Sequence, residues 1–198
     1  MLFKQSEKLM FILKRLKADF LSASAHKFHG PKGVGILYST PQHFDNLLHG
    51  GEQEEKRRAS TENMIGIAGM AKALSDTVTN KDVNYKHVKE LRQSFLDAIS
   101  GLDYYINGSQ NKMPHVLNIG FPNQNNGILL THLDLAGIAV STGSACTAGT
   151  VDPSHVLASL YGEDSPRLAE SIRVSFSELN TIEEVQELAK KLIEIVGK

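Results

Sequence analysis

The stretch Asp19-Phe20-Leu21-Ser22-Ala23-Ser24-Ala25-His26-Lys27-Phe28-His29-Gly30-Pro31-Lys32-Gly33 decides how the first part of the chain is expected to fold. Residues 19–24 predict a short strand, and the loop that follows contains two histidines, two lysines and a Gly-Pro turn. Residues 33–38 predict a second strand, in which glycines allow close approach of the backbone. Lys27 is therefore expected at the end of a strand, in a rigid turn that leaves room for a ring.

The residues around Lys27 indicate a binding site for an aldehyde cofactor. A lysine amine must be neutral to form a Schiff base, and a partly desolvated pocket with nearby positive charge favours the neutral amine. Ser24 and His26 offer a hydroxyl and an imidazole to a cofactor phosphate. The alternative is an ordinary surface loop that carries two lysines, with Lys32 at the tip of a turn.

Strand and helix patterns alternate along the rest of the chain, which predicts an α/β protein. A polar stretch at residues 77–82 predicts a domain boundary, with domains over residues 1–80 and 81–198. The predicted helices are residues 61–77, 84–99, 127–135 with Asn126 as cap, 153–160 with Pro153 in the first turn, and a terminal helix to about residue 196 that starts at the Thr181–Glu184 capping box. The predicted strands of the second part are residues 104–106, 115–121, 137–140 and 171–176.

The only cysteine, Cys146, lies within a run of small residues at 141–149. A thiolate is the reactive form of cysteine, and an exposed polar loop permits it. Small residues allow such a loop to enter a cleft and withdraw, so the run predicts an arm that delivers sulfur. The alternative, a small buried hydrophobic residue, is the usual role of a free cysteine.

Two further residues could bind anions. Arg173 lies within an alternating strand pattern, where it either points to solvent or presents its planar guanidinium to a carboxylate. Thr61 directly precedes a predicted helix, where free N–H groups favour a phosphate, although an ordinary N-cap is the alternative.

Composition and charge are those of an ordinary globular protein. The chain has 198 residues, 41% hydrophobic and 22% charged, with a formal net charge of −1. This balance predicts no binding to nucleic acid or an anionic membrane, and no window approaches the roughly 18 apolar residues of a membrane span. No signal-peptide pattern begins the sequence, and a single cysteine favours a reducing cytoplasm. His115, His132 and His155 have no spacing typical of a metal site.

Taken together, the motifs resemble the cysteine desulfurase family, which is a group of pyridoxal-phosphate enzymes of fold type I in the class-V aminotransferase-like branch. The resemblance rests on Ser24-Ala25-His26-Lys27, Arg58-Ala59-Ser60-Thr61-Glu62-Asn63, Ser141-Thr142-Gly143-Ser144-Ala145-Cys146 and Ser171-Ile172-Arg173-Val174-Ser175. The Gly-Ser-Ala-Cys segment is similar to that of group I members, which have a long, mobile cysteine loop. The resemblance covers only the C-terminal half of such enzymes, so the fold expected is the back part of the large domain followed by a small α/β domain.

The resemblance implies a role for each motif. Lys27 would hold pyridoxal 5'-phosphate as a Schiff base and move the Cα proton of L-cysteine, while Ser24 and His26 would bind the phosphate. Thr61 would reach the phosphate of the other subunit in a homodimer. Arg173 would bind the substrate carboxylate. The remaining motif contains Cys146, whose thiol has the role described next.

Cys146 would take the substrate sulfur as a persulfide and leave alanine. The sulfur would then pass to an acceptor, either an iron–sulfur scaffold or a tRNA-thiolation protein. Where relatives often have glycine, arginine and glycine, this chain has Glu52, Glu55 and Ser60. The half that is not matched normally supplies an aspartate to the pyridine nitrogen and a histidine on the ring. Two alternatives therefore stay open: a catalytically incomplete form that acts at most as an interaction module or with a separate N-terminal half, and a selenocysteine lyase.

Overall fold

A computed structural model describes residues 15, 17–40, 44–109, 113–143 and 153–197. The chain divides into two compact units, Met1–Asp82 and Val83–Lys198. The division lies two residues from the boundary that the sequence predicts. The functions assigned to the two domains stay predictions.

The first unit contains a two-stranded antiparallel sheet. Strand β1 (Phe20–Ser24) pairs with β2 (Gly35–Ser39), with Ser24 opposite Gly35. A single turn of 3₁₀ helix, Ala25–Phe28, begins directly after β1. The two strands confirm the sequence prediction, and the segment between them is tightly closed.

Two backbone hydrogen bonds close this segment. The Ala25 N–H donates to the Val34 carbonyl at 3.0 Å, and the Gly30 N–H donates to the Ala25 carbonyl at 2.8 Å. A Cβ added at Gly30 would lie 2.8 Å from the Cβ of Ala25, so only glycine fits there without a shift.

Helix α1 (Met64–Ala98) is continuous over 35 residues. The helix begins after Asn63, whose side-chain oxygen accepts from the Gly66 N–H at 3.0 Å. The sequence prediction of two helices separated by a polar stretch at residues 77–82 is wrong. That stretch contains neither glycine nor proline, so nothing in it breaks the helix, and its polarity reflects exposure to solvent.

The second unit contains a three-stranded antiparallel sheet in the order β3-β4-β5. The strands are β3 (Tyr105–Ile106), β4 (Val116–Gly120) and β5 (Ser171–Ser175). The other helices are α2 (Asn126–Leu135), α3 (His155–Tyr161), α4 (Arg167–Glu170) and α5 (Ile182–Val196).

One face of this sheet forms the core together with α1, α2 and α5. The largest fully buried side chains of this cluster are Phe95, Phe121, Leu91, Ile99, Leu117, Ile119, Leu129, Leu133, Ile172 and Leu192. Strands and helices are mixed along the chain, which confirms the α/β class, and both sheets of the described residues are antiparallel.

Three details of the second unit differ from the sequence prediction. Asn125 caps α2, while the neighbouring Asn126 donates to the carbonyls of Leu168 and Ser171. Helix α3 begins at His155 with Ser154 as its cap, so Pro153 lies outside the first turn.

The third difference concerns residues 137–140, which form no strand. Gly137 has φ +79° after α2, and only Ser141 forms a bridge, opposite Arg173. The capping box at the start of α5 is confirmed, because Thr181 accepts from the Glu184 N–H while Glu184 accepts from the Thr181 N–H.

Candidate active site

The predicted cofactor residues Ser24, His26 and Lys27 lie on one continuous segment. Ser24 ends β1, and His26 and Lys27 lie in the 3₁₀ turn that follows. The backbone of the turn is held by the hydrogen bonds described above and by Thr77 Oγ1, which donates to the Phe28 carbonyl at 3.4 Å. All three side chains are exposed, so the expected desolvation of Lys27 is not provided by the part of the chain that the structure describes.

The donor chemistry of this segment fits pyridoxal phosphate. Within the described residues, no hydrogen bond or ion pair occupies the Ser24 hydroxyl, the His26 ring or the Lys27 amine. A hydroxyl and an imidazole suit a phosphate, and a primary amine suits an aldehyde. Lys32 lies in an exposed turn, as the sequence predicts.

Thr61 lies two residues before the N-cap of α1, and its side chain is exposed. Asn63 takes the capping role, so Thr61 is not the ordinary N-cap considered as its alternative. Ser60, directly before it, has φ +90°, a conformation that favours glycine. The phosphate role of Thr61 stays a prediction.

Arg173 lies in the middle of β5, on the face of the sheet opposite the core. Its neighbours Ile172 and Val174 are buried, and Arg173 itself is partly exposed. Its Nε atom is buried and has no hydrogen-bond partner among the described residues. A buried donor without a partner is costly, and an anionic ligand would satisfy it.

Cys146 lies outside the described residues, so its predicted role stays a prediction. Ser141, which begins the run of small residues, is described. The Ser141 N–H donates to the Arg173 carbonyl at 3.2 Å.

A polar network that the sequence motifs do not predict lies on the same sheet face as Arg173. Asn107 Nδ2 donates to Asn118 Oδ1 at 2.6 Å and to Ser171 Oγ at 2.8 Å, and Arg167 NH1 donates to Asn107 Oδ1 at 2.7 Å. The signal was present in the sequence, because Asn118 stands between two apolar strand residues as Arg173 does.

Arg167 is held between two aromatic rings. Its Cζ lies 4.2 Å from the ring centroid of Tyr105 and 4.5 Å from that of Tyr161. The Tyr105 hydroxyl donates to Glu170 Oε2 at 2.8 Å. Burial, followed by this hydrogen bond to a carboxylate, raises the pKa of Tyr105 to about 12.

The described site residues thus form two groups, one in each unit. Ser24, His26, Lys27 and Thr61 belong to the first unit and Arg173 to the second. Over the described ranges, no three His, Cys, Asp or Glu side chains could hold a metal ion together. No helix among these residues is long and apolar enough to cross a membrane.

Comparison with known proteins identifies the family. The model of the class-V aminotransferases matches residues 5–188. The chain belongs to the class-V aminotransferase family. Its curated relatives are named as cysteine desulfurases, which confirms the resemblance that the motifs predict.

Three of these relatives define the extent of the match. One relative is a Bacillus subtilis (strain 168) protein named as the cysteine desulfurase IscS 1. It is 45% identical over 94% of this chain and 50% of its own length. The cysteine desulfurase IscS of Dictyoglomus turgidum is 44% identical over 73% of this chain and 38% of its own. A solved NifS-like protein superposes with a TM-score of 0.80 at 36% identity, over 93% of this chain and 48% of its own. The class-V chain therefore spans about half the length of these relatives or less.

Proposed function

We propose that this class-V chain serves in a cysteine desulfurase, which converts L-cysteine to L-alanine and transfers the sulfur to Cys146. The proposal rests on the side chains of Ser24, His26 and Lys27 at the end of β1, which no hydrogen bond or ion pair among the described residues occupies. Ser24 and His26 would hold the phosphate of pyridoxal 5'-phosphate, and Lys27 its aldehyde carbon. The cofactor supplies an electron sink for the substrate Cα.

Each residue of the chain then has a defined task. The Lys27 amine would accept the Cα proton of L-cysteine as a general base. Arg173 would bind the substrate carboxylate. The Cys146 thiolate would attack the substrate sulfur, so that an S–S bond forms as the Cβ–S bond breaks. Cysteine and the thiol together give alanine and a persulfide, and no external oxidant or reductant is required.

Partners follow from the same chemistry. The persulfide sulfur would pass to an acceptor protein, either an iron–sulfur scaffold or a tRNA-thiolation protein. We further propose a homodimer in which Thr61 serves the phosphate site of the other subunit. Its exposure at the start of α1 is compatible with such a role. Turnover of cysteine compared with that of selenocysteine would distinguish a desulfurase from a selenocysteine lyase.

One observation supports a second candidate, in which additional protein completes the cofactor site. Ser24, His26 and Lys27 are all exposed, whereas an imine-forming lysine works best when it is partly desolvated. In this case the 198-residue chain would bind the cofactor weakly alone and would turn over cysteine only with a separate N-terminal half of a relative.

The experiment combines cofactor trapping with product analysis. Wild-type chain is incubated with pyridoxal phosphate, reduced with borohydride and digested for mass spectrometry. We expect the cofactor mass on Lys27, its loss in Lys27→Ala and its retention in the matched variant Lys32→Ala. Alanine release from cysteine, with and without the added half, separates the two candidates. A chain that stays colourless and unlabelled under both conditions would contradict both.

A further inference from the structure

The sheet of the second unit carries polar side chains on the face opposite its core. Leu117 and Ile119 of β4 are fully buried, and Asn118 between them therefore points to the other face. Asn118 and Arg173 are directly paired in the register of β4 and β5. Side chains at paired positions of antiparallel strands are close neighbours on one face.

The orientation of Asn107 is fixed by Arg167. A guanidinium has donors and no acceptor, so the Asn107 atom that lies 2.7 Å from Arg167 NH1 must be the amide oxygen. Arg167 is itself fixed by its two tyrosine rings. The amide nitrogen of Asn107 is thereby directed to Ser171 and Asn118.

The orientation of Asn118 follows from that of Asn107. Nδ2 of Asn107 can only donate, so the Asn118 atom at 2.6 Å must be its oxygen. The Asn118 nitrogen is consequently the side-chain atom that faces away from Asn107. No hydrogen bond within the described residues occupies this N–H₂ group, and the buried Nε of Arg173 has no partner either.

We propose that Asn118 is a second binding residue for the substrate carboxylate beside Arg173, and that Asn107 and Arg167 are positioning residues that keep its N–H₂ group available. The inference rests on the proposed function and deepens it. Two adjacent donor groups, one of them cationic, suit the two oxygens of a carboxylate. An asparagine with its oxygen already occupied can offer only donors to such a ligand.

The test uses the 198-residue chain and propanoate as the carboxylate probe. Nitrogen-15 NMR follows the side-chain signals of Arg173 Nε–H and Asn118 Nδ2–H₂ during the titration. We expect both signals to shift with one common Kd. Asn118→Ala is expected to weaken propanoate binding about tenfold, as the loss of one hydrogen bond to a charged group predicts. Asn84→Ala, at a partly exposed asparagine of α1 in the same unit, is the matched control and should bind as wild type does.

Two further variants separate binding from structure. Asn118→Ser keeps a polar side chain on β4 but has no N–H₂ group, so it should lose the same affinity even if Asn118→Ala fails to fold. Arg167→Lys should move the Asn118 side-chain signal in the free protein and weaken propanoate binding several-fold. A lysine lacks the planar guanidinium that lies between the two tyrosine rings and binds Asn107. An unmoved Asn118 signal would contradict the positioning role.

The outcomes distinguish this inference from the proposed function. If Arg173→Lys loses propanoate binding while Asn118→Ala and Asn118→Ser keep it, the inference is wrong and the desulfurase proposal stands. If Arg173→Lys binds propanoate as wild type does, the carboxylate site itself is wrong and the inference is overturned with it. Absence of cofactor on Lys27 in the trapping experiment would contradict the desulfurase proposal without altering the NMR result.

Discussion

The segment around Lys27 and the strand that carries Arg173 are built in opposite ways. In the first unit, the buried apolar side chains among the described residues are the small Ala25 and Ala59. In the second unit, the core cluster extends from Val88 to Leu192 and includes two fully buried phenylalanines. The lysine segment is shaped by backbone hydrogen bonds and close glycine contacts, whereas the arginine strand is fixed by side-chain packing.

This difference affects how each group of site residues depends on its surroundings. Arg173 is flanked by buried neighbours and a hydrogen-bonded network within one unit, so its geometry is set locally. Ser24 ends a strand of a two-stranded sheet, His26 and Lys27 lie in the turn that follows, and all three side chains are exposed. A two-stranded sheet is marginally stable by itself, so we expect ligand or partner binding to stabilise the first unit much more than the second.

Truncation of a core side chain should have the largest effect. Phe95 is fully buried and lies 6.0 Å from Phe176, centroid to centroid. Phe95→Ala should lower the free energy of unfolding of the second unit by about 3–5 kcal/mol, because it removes buried area and leaves a cavity. Urea unfolding followed by circular dichroism measures the change.

The matched variant lies in the first unit. Phe20 is 52% exposed and contacts Phe44 edge to face, so Phe20→Ala should cost about 1 kcal/mol. Equal losses from Phe20→Ala and Phe95→Ala would show that the two units do not differ in the way that their packing indicates.

A smaller effect is expected where the polar face of the sheet is tightly packed. A Cβ added at Gly120 would collide with the ring of Tyr105, which also contacts Arg167 and Glu170. Gly120→Ala should therefore destabilise the second unit by about 1–3 kcal/mol through overcrowding. Gly101→Ala, where nothing lies within 4 Å, is the control, and thermal unfolding of both variants tests the difference.

The sequence predicted those features of the fold that depend on local patterns. Alternation of apolar residues located β5, the run after Pro114 located β4, and the Thr181–Glu184 motif located the start of α5. The prediction of a break within α1 is wrong, because it rests only on the polarity of residues 77–82. Polarity alone cannot distinguish an exposed helix from a linker.

The candidate site was predicted as isolated motifs. The contacts between distant residues that surround it are visible only in the structure. Arg167 and Asn107 are sixty residues apart in sequence, and no local signal connects them. Their contact depends on a strand register that brings residues 107, 118 and 171 side by side. The motif around Lys27 was recognisable because its residues are consecutive, whereas the network beside Arg173 was not.

The ionisation of Tyr105 makes the stability of the network depend on pH in the alkaline range. Its pKa in the folded chain is raised to about 12 from a model-compound value of 10.0. Between these values the unfolded chain loses the phenolic proton and the folded chain keeps it. Stability from this residue is therefore fully present below about pH 10 and is lost as pH rises toward 12.

Tyr105→Phe should remove this contribution to the alkaline loss of stability. It should also lower stability at pH 7 by about 1 kcal/mol, since the hydrogen bond to Glu170 is lost. Urea unfolding at pH 9 and pH 11.5 measures both effects, and Tyr85→Phe, which removes an exposed phenol of α1, is the control. An alkaline slope that is the same in wild type and Tyr105→Phe would contradict the assignment.

The smallest effect tests the conformation of the first unit beside Thr61. Ser60 has φ +90°, and a side chain in this region costs about 1 kcal/mol relative to glycine. Ser60→Gly should therefore stabilise the local fold, which the Ala59 N–H reports because it donates to the Leu48 carbonyl at 3.4 Å. Amide hydrogen exchange at Ala59 should slow about fivefold. Ser22→Gly, within β1, is the control and should not slow exchange at Ala59, because glycine weakens a strand. Faster exchange at Ala59 in Ser60→Gly would show that the positive φ of Ser60 does not destabilise this segment.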